Sequence, residues 1–291
     1  KGIDYASENG ISLMVSLDCG VTAIEQVNYA KSKDIDFIIC DHHLPSDNIP
    51  NAVAVLDPKR NDCSYPFKEL SGCGVGFKFC SAIASKLEMP AETYLQYLDL
   101  LAVSIASDIV SITDENRVLA YYGLKKLNEN PTMGLKILKK IAGLEIKELS
   151  ISDIVFSLGP RINAPGRMAH AKASVEILIC QNEDEGFQFA ERLTQHNTTR
   201  RETDLKITSE AINELDNLED FSSKRSIVLT NSSWSKGVIG IVASRLVERY
   251  YKPTIIFAEE DGVLTGSARS IKGFSIYNGI NKCSENVIQF G

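Results

Sequence analysis

Short apolar runs alternate with amphipathic helical segments along the first ninety residues, and this alternation constrains the fold more than any other feature. Leu13–Leu17, 37–40 and 52–56 each have the length and apolar character of a buried strand. Residues 22–33 and 74–87 carry apolar side chains at helical spacing. Strands that alternate with helices in such short units predict a parallel sheet with helices on both faces.

A long polar helix is predicted to join this region to a second one. Residues 183–216 contain no proline, and residues 194–204 are polar on every face of a helix. Such a helix cannot lie on one core, so we expect it to bridge two bodies through solvent over about 50 Å, at ~1.5 Å per residue. Strand and helix patterns resume beyond it. The predicted fold is α/β, with a parallel-sheet domain over 1–182, a connecting helix over 183–217 and a smaller α/β domain over 218–291.

Composition excludes several classes of protein. No apolar run approaches the ~20 residues that cross a bilayer, so a membrane-spanning chain is excluded. The formal net charge of −7 argues against coating of nucleic acid by bulk charge, but it allows an enzyme with a local basic groove. None of the seven cysteines forms a CxxC pair, which indicates neither a structural zinc site nor a redox dithiol. Cysteines used in this way favour a reducing, cytoplasmic compartment.

Acidic and imidazole side chains follow apolar segments at three places. Asp18 ends the first strand, Asp41-His42-His43 ends the second, and Asp108 follows an apolar helix. In an open parallel sheet the strands end at one edge, where ligands bind. Carboxylates with imidazole suit Mn²⁺ or Mg²⁺ better than structural zinc. Taken singly, an Asp after a strand is a common helix cap, and adjacent histidines are commonly solvated.

Six sequence blocks resemble a known family in their order and spacing. They are Asp18-Cys19-Gly20, Asp41-His42-His43-Leu44-Pro45, residues 106–110 (ASDIV), 159–167 (GPRINAPGR), 237–245 (GVIGIVASR) and 266–270 (GSARS). The first three resemble successive motifs of the DHH phosphoesterase superfamily. The later three are similar to its RecJ branch, the single-strand-specific 5′→3′ DNA exonucleases. The resemblance covers essentially the whole chain.

The resemblance implies an enzyme that hydrolyses phosphodiester bonds with two Mn²⁺ or Mg²⁺ ions, in recombination and repair. By similarity, Asp18 would bridge both ions, and His42 and Asp108 would hold one of them. Asp41 would support these ligands from behind, and His43 would contact the scissile phosphate. Single-stranded DNA is the implied substrate, with a single-strand-binding protein and a helicase as further partners and no membrane.

Two arginine-containing blocks are predicted to bind the substrate. Arg161, Asn163 and Arg167 lie on a segment that contains a proline and a glycine, and we expect a rigid loop there. Ser267 and Arg269 would share one face of a strand. The resemblance implies that this face binds the 5′-terminal phosphate across the inter-domain cleft. The alternative is that these arginines pair with surface carboxylates or are simply exposed.

Two other features are open to both structural and functional interpretations. Trp234 is a candidate base-stacking platform, but one aromatic beside a turn more commonly packs locally. Arg200 and Arg201, in the polar helix, are expected to be a solvated face, with steering of a DNA backbone as the alternative.

One departure from the family pattern affects the expected activity. The family's first motif, an Asp-x-Asp pair that completes the metal ligands, would precede Lys1, and a Gly-Gly-His motif would follow Gly291. We therefore expect a fragment that holds at most one ion properly and cleaves single-stranded DNA very poorly. The alternative functions are a short-oligonucleotide or cyclic-dinucleotide phosphodiesterase of the same superfamily, and a non-catalytic scaffold that keeps the fold.

Overall fold

The chain divides into two compact units in a computed structural model that describes residues 1–108, 110–168 and 171–290. The first unit comprises Lys1–Pro160 and Ile177–Ala190, and the second comprises Arg161–Glu176 and Glu191–Gly291. Residues 161–176, which were predicted to belong to the first domain, thus group with the second unit. The domain boundaries at 182 and 217 stay a prediction.

The first unit is built on a parallel sheet with the predicted strands. Strands β1 (Leu13–Leu17), β2 (Asp36–Cys40) and β3 (Ala54–Leu56) pair in the order β1-β2-β3. Both pairings are parallel. Its helices are α1 (Gly2–Glu8), α2 (Ile24–Lys31), α3 (Gly72–Lys86), α4 (Glu92–Leu95), α5 (Leu98–Ser107), α6 (Asp114–Glu129), α7 (Met133–Ile141) and α8 (Ile151–Asp153), followed by a π-helical turn at Ile154–Leu158. The α/β class predicted from the alternation is confirmed.

Strand β1 is less buried than its sequence predicts. Leu13, Val15 and Leu17 are 47, 45 and 56% exposed, whereas Met14 and Ser16 are partly buried. In the described sheet β1 is an edge strand that is packed well on one face only. The prediction of a buried strand was wrong because an apolar run reports side-chain character and not whether both faces are covered.

The long helix α11 spans Glu183–Asp216, close to its predicted range. Its polar middle is not fully solvated, however, because Asn197 and Asp204 are only 7% and 1% exposed. The carboxylate of Asp204 accepts a hydrogen bond from Arg245 at 2.7 Å, and Asn197 accepts one from Arg200 at 2.9 Å. The expectation of a purely solvent-bridging middle was therefore wrong: polar residues lie on a packed face when their partners are present.

The second unit has a small mixed sheet. Strands β4 (Ile227–Asn231) and β5 (Thr254–Glu260) are parallel, and β6 (Val263–Arg269) pairs antiparallel to β5. The remaining helices of the chain are α9 (Gly159–Met168), α10 (Lys172–Ile179), α12 (Ile239–Tyr250) and α13 (Ile276–Asn281). Trp234 is 3% exposed within the core of this unit, and its Nε1 donates to Glu210 at 2.9 Å. This burial favours the packing interpretation of Trp234.

The helices were compared with the length and apolar character of a membrane-spanning helix. Within the described residues, no helix combines the length and the apolar character that crossing a bilayer requires.

Candidate functional site

Asp18 is held in an unusual backbone conformation at the end of β1. Its φ of +64° lies in the left-handed region, which costs a non-glycine residue about 1–3 kcal/mol. Its backbone N–H donates to the carbonyl of Cys40 at 2.9 Å, which ties it to the end of β2. Backbone strain of this kind clusters at functional sites. The strained turn fixes the direction of the Asp18 carboxylate.

The carboxylate of Asp18 fills the space beside the first residue of α3. A Cβ built on Gly72 would lie 2.1 Å from Oδ1 of Asp18 and 2.6 Å from its Cγ. Atoms at these distances overlap, so only glycine fits at position 72 while Asp18 keeps this position. The sequence pattern gave no sign of this role for Gly72, because a glycine at a helix start has many ordinary explanations.

His42 is oriented by a backbone carbonyl. The ring is buried, and its Nδ1 lies 3.0 Å from the carbonyl oxygen of Leu70. A carbonyl can only accept, so Nδ1 carries the hydrogen and the lone pair of the neutral ring lies on Nε2. A hydrogen bond of this kind fixes the tautomer of a metal-binding histidine.

The lone pair of His42 is directed at two carboxylates. Its Nε2 is 3.0 Å from Oδ1 of Asp18 and 3.4 Å from Oδ2 of Asp108. Nε2 is buried, and within the described residues it has no hydrogen-bond partner. In the neutral ring three electron-rich atoms thus converge without a hydrogen between them, an arrangement that a cation stabilises. The donor set therefore fits a hard divalent cation, and it joins the three predicted metal ligands.

The electrostatics of Asp18 agree with this interpretation. Burial raises the pKa of Asp18, and the nearby charge of Asp108 raises it further, while His42 lowers it. A bound cation would compensate the charge that Asp108 places beside Asp18.

Asp41 lies behind this set and is almost completely buried, at 1% exposure. Its Oδ2 accepts from the backbone N–H of Val21 at 2.8 Å, and its Oδ1 accepts from that of His42 at 2.8 Å. Burial alone would raise the pKa of Asp41, but these hydrogen bonds and one from the ring of His43 hold it below its usual value. Asp41 is thus an ionised support for the loop.

His43 is the exposed member of the pair, with 62% of its side chain accessible. Its Nδ1 lies 2.7 Å from Oδ1 of Asp41, and this hydrogen bond raises the pKa of His43. Ligand atoms of Asp18, His42 and His43 also lie within 4.8 Å of one another. The structure therefore brings together the five residues predicted as metal ligands or catalytic groups.

Asp41→Ala is expected to destabilise the protein by about 3 kcal/mol or more. The change leaves the buried N–H groups of Val21 and His42 without an acceptor, at ~1–3 kcal/mol for each. Urea denaturation measures the free energy of unfolding. Asp47→Ala is the matched control, since Asp47 is exposed in the same loop and its loss should change stability by less than about 0.5 kcal/mol. A cost for Asp41→Ala below about 1 kcal/mol would contradict this assignment.

The predicted substrate-binding residues all lie in the second unit. Nη1 of Arg167 donates to the carbonyl of Gly237 at 3.2 Å, just before α12. Nε of Arg269 donates to Ser244 at 3.0 Å, and its Nη1 donates to Ser267 at 3.3 Å. Two exposed arginines thus lie beside small residues at the first turns of α12, a suitable arrangement for a phosphate group.

The segment that carries Arg161 and Asn163 differs from its predicted conformation. It forms helix α9 instead of a rigid loop, and Pro165 lies inside the helix. Proline removes one helical hydrogen bond but still adopts helical φ, so the expectation of a loop was wrong. Asn163 is exposed, and Arg161 is partly buried. Burial lowers the pKa of Arg161, and Arg201 lowers it further.

Two regions of the chain match known domain families. Residues 2–105 match the DHH family, N-terminal domain, and residues 223–288 match the DHHA1 domain. The chain thus contains a DHH-family N-terminal domain and a DHHA1 domain. The DHH match covers Asp18 and the Asp41-His42-His43 motif, and the DHHA1 match covers Ser267 and Arg269.

Curated relatives of this chain are named single-stranded-DNA-specific exonuclease RecJ. The Bacillus subtilis (strain 168) protein is 38% identical over 286 residues, which make up 98% of this chain and 35% of the relative. The Escherichia coli (strain K12) protein is 33% identical over 293 residues, with 96% of this chain and 51% of the relative covered. The chain thus spans about a third to a half of the length of these relatives.

Solved structures share the fold. RecJ from Thermus thermophilus in complex with Mn²⁺ matches with a TM-score of 0.87 at 24% identity, over 99% of this chain and 42% of that one. An exonuclease RecJ bound to manganese matches with a TM-score of 0.80 at 24% identity, over 99% of this chain and 71% of that one. The arrangement of a DHH domain followed by a DHHA1 domain is therefore confirmed.

Proposed function

We propose that this chain is the catalytic part of a metal-dependent phosphodiesterase that degrades single-stranded DNA from its 5′ end. The observation that carries the proposal is the buried Nε2 of His42, which faces the carboxylates of Asp18 and Asp108 at 3.0 and 3.4 Å. Relatives of this chain are named single-stranded-DNA-specific exonucleases. The two-metal mechanism, the 5′→3′ polarity and a role in recombination and repair belong to the same proposal.

The metal centre would be formed by Asp18, His42 and Asp108. A bound divalent cation supplies neutralisation of the phosphodiester charge and a more acidic water molecule. His42 presents its Nε2 lone pair because Leu70 holds the hydrogen on Nδ1. Asp18 suits a bridging position, since its two carboxylate oxygens can each face one ion.

His43 would act on the phosphate and not on the cation. Asp41 raises the pKa of His43 and fixes its ring through Nδ1. When it is protonated, the ring can donate from Nε2 to a phosphate oxygen and stabilise the charge that develops there. Asp41 acts through His43 as a positioning residue.

The second unit would bind the DNA backbone. Arg161, Asn163 and Arg167 are proposed contacts to the substrate, and Ser267 with Arg269 is proposed to bind the 5′-terminal phosphate. Guanidinium groups suit this task because they bind phosphate through two parallel hydrogen bonds. The proposed partners are single-stranded DNA, a single-strand-binding protein and a helicase. All seven cysteines are free, and the cytoplasmic location stays a prediction.

Calorimetric titration of Mn²⁺ into the wild type and Asp108→Ala tests the metal assignment. Loss of a ligand should weaken Mn²⁺ binding by on the order of 100-fold or more, above the 10–100-fold typical of supporting residues. Asp47→Ala is the control for removal of an exposed carboxylate, and it should bind as the wild type does. Equal Mn²⁺ binding by Asp108→Ala and the wild type would reject the role of Asp108.

Cleavage assays with Mn²⁺ distinguish the proposed activity from the alternatives. In the context of the longer protein we expect release of nucleotides from a long 5′-phosphorylated single strand, and faster release than from a dinucleotide. Preference for the dinucleotide would instead indicate a short-oligonucleotide phosphodiesterase. A chain that binds Mn²⁺ but cleaves neither substrate in the context of the longer protein would indicate a scaffold.

A further inference from the structure

Several arginines of the second unit lie close enough for their charges to act on one another. Arg200 and Arg201 lie on α11. The charge of Arg201 lowers the pKa of Arg161, and the charges of Arg167 and Arg245 lower the pKa of Arg200. Within the described residues, Asp204 is an acidic group that acts on Arg200, and it is 1% exposed and already paired with Arg245 at 2.7 Å. We call Arg161, Arg167, Arg200, Arg201 and Arg245 the arginine cluster.

Arg200 uses few of its hydrogen-bond donors. Its Nη2 donates to Oδ1 of Asn197 at 2.9 Å, whereas its Nε is buried and has no hydrogen-bond partner within the described residues. A guanidinium group has five N–H donors, and leaving them unpaired away from water is costly. This is not the solvated face that the sequence predicts for Arg200.

The electrostatic surroundings make the cost larger. Burial lowers the pKa of Arg200, Asp204 counteracts this effect, and the charges of Arg167, Arg201 and Arg245 lower the pKa further. A half-buried charge among like charges is stabilised by an anion that lies against several of them at once. Groups that burial and neighbouring charges perturb in this way are candidates for functional sites.

The position of Arg200 distinguishes it from the proposed terminal-phosphate site. Ser267 and Arg269 lie on β6 and are joined to α12 through Ser244. Arg200 instead belongs to α11, which is joined to α12 through Asp204 and Arg245. The two groups therefore contact α12 at different residues, Ser244 and Arg245.

We propose that Arg200, supported by Asn197 and with Arg201 beside it, binds a backbone phosphate of the single strand other than its 5′-terminal phosphate. This inference rests on the proposed function. It adds an anion contact on the long helix to those proposed for Ser267 and Arg269, and for Arg200 it favours contact with the DNA backbone over a solvated face. Its ligand is a phosphodiester within a nucleic-acid backbone, recognised by charge and not by base identity.

Fluorescence anisotropy with a labelled oligothymidine tests the proposal, using the wild type, Arg200→Gln and Arg249→Gln. Arg249 is an exposed arginine near the end of α12 that lies 5.4 Å from the ring centroid of Tyr250, and it serves as the control. For Arg200→Gln we expect about tenfold weaker binding and a salt slope smaller by about 0.7, the value for one single-strand phosphate. The loss should be equal for 5′-phosphorylated and 5′-hydroxyl strands.

Three outcomes would overturn the proposal. Binding by Arg200→Gln within twofold of the wild type would do so, as would a lower melting temperature with an unchanged salt slope, because the role of Arg200 would then be structural. A loss confined to the 5′-phosphorylated strand would place Arg200 at the terminal phosphate instead. If the wild type does not bind DNA, the proposed function fails; calorimetry with inorganic tripolyphosphate then compares the same variants and still tests Arg200.

Discussion

Gly72→Ala should abolish tight Mn²⁺ binding while the protein remains folded. The new Cβ would lie 2.1 Å from Oδ1 of Asp18 and 2.6 Å from its Cβ and Cγ, so the Asp18 carboxylate must move. Asp18 has little freedom to do so, because its backbone is strained at a φ of +64° and bonded to Cys40. Displacement of one ligand by about 1 Å or more should weaken Mn²⁺ binding by on the order of 100-fold.

The stability of Gly72→Ala should fall far less than its metal affinity. Alanine is favoured over glycine inside a helix by about 1 kcal/mol, which partly compensates the local rearrangement. Gly74→Ala is the matched control in the same turn of α3, where the added Cβ would lie 3.3 Å from Oγ of Ser71 and 3.5 Å from Leu70. Calorimetric Mn²⁺ titration with thermal melting measures both effects. Wild-type Mn²⁺ affinity in Gly72→Ala would contradict the position assigned to Asp18.

Gly237→Ala should destabilise the second unit and weaken its binding of single-stranded DNA. Its Cβ would lie 1.9 Å from the carbonyl oxygen of Arg167 and 2.8 Å from the carbonyl carbon. These are backbone atoms, which cannot rotate away as a side chain does. Overpacking of a tight contact costs about 1–3 kcal/mol and occasionally more, and we expect the upper end here.

The Arg167 contact explains why DNA binding should fall as well. The end of α9 must separate from the start of α12, which breaks the hydrogen bond from Arg167 to Gly237. Gly166→Ala is the control, because within the described residues its added Cβ would meet Ala171 at 3.8 Å, an ordinary van der Waals contact. Urea denaturation and anisotropy with a 5′-phosphorylated strand measure the two effects. An unfolding free energy within about 0.5 kcal/mol of the wild type would show that this close approach is absent.

The metal centre was predictable because its residues follow secondary structure. Asp18 and His42 come at the ends of β1 and β2, and parallel strands bring their ends to one edge. Asp108 directly follows α5, so it also lies at the end of a secondary-structure element. Periodicity thus located side chains that are about ninety residues apart in the sequence.

Features that depend on packing partners were not predictable. Nothing in the pattern of α11 indicates that Asp204 is buried, because its partner Arg245 lies forty-one residues away. Gly72 shows the same limit, since its role depends on a carboxylate from another element. The helical conformation around Pro165 was missed because proline usually ends helices.

Anomalous diffraction from crystals soaked in Mn²⁺ and recorded near the manganese absorption edge tests the central claim most directly. We predict a peak within about 2.5 Å of Nε2 of His42 and of carboxylate oxygens of Asp18 and Asp108. In Gly72→Ala crystals the peak should be lost or strongly reduced. A manganese peak elsewhere, with His42 still facing two uncoordinated carboxylates, would contradict the metal centre on which the proposed function depends.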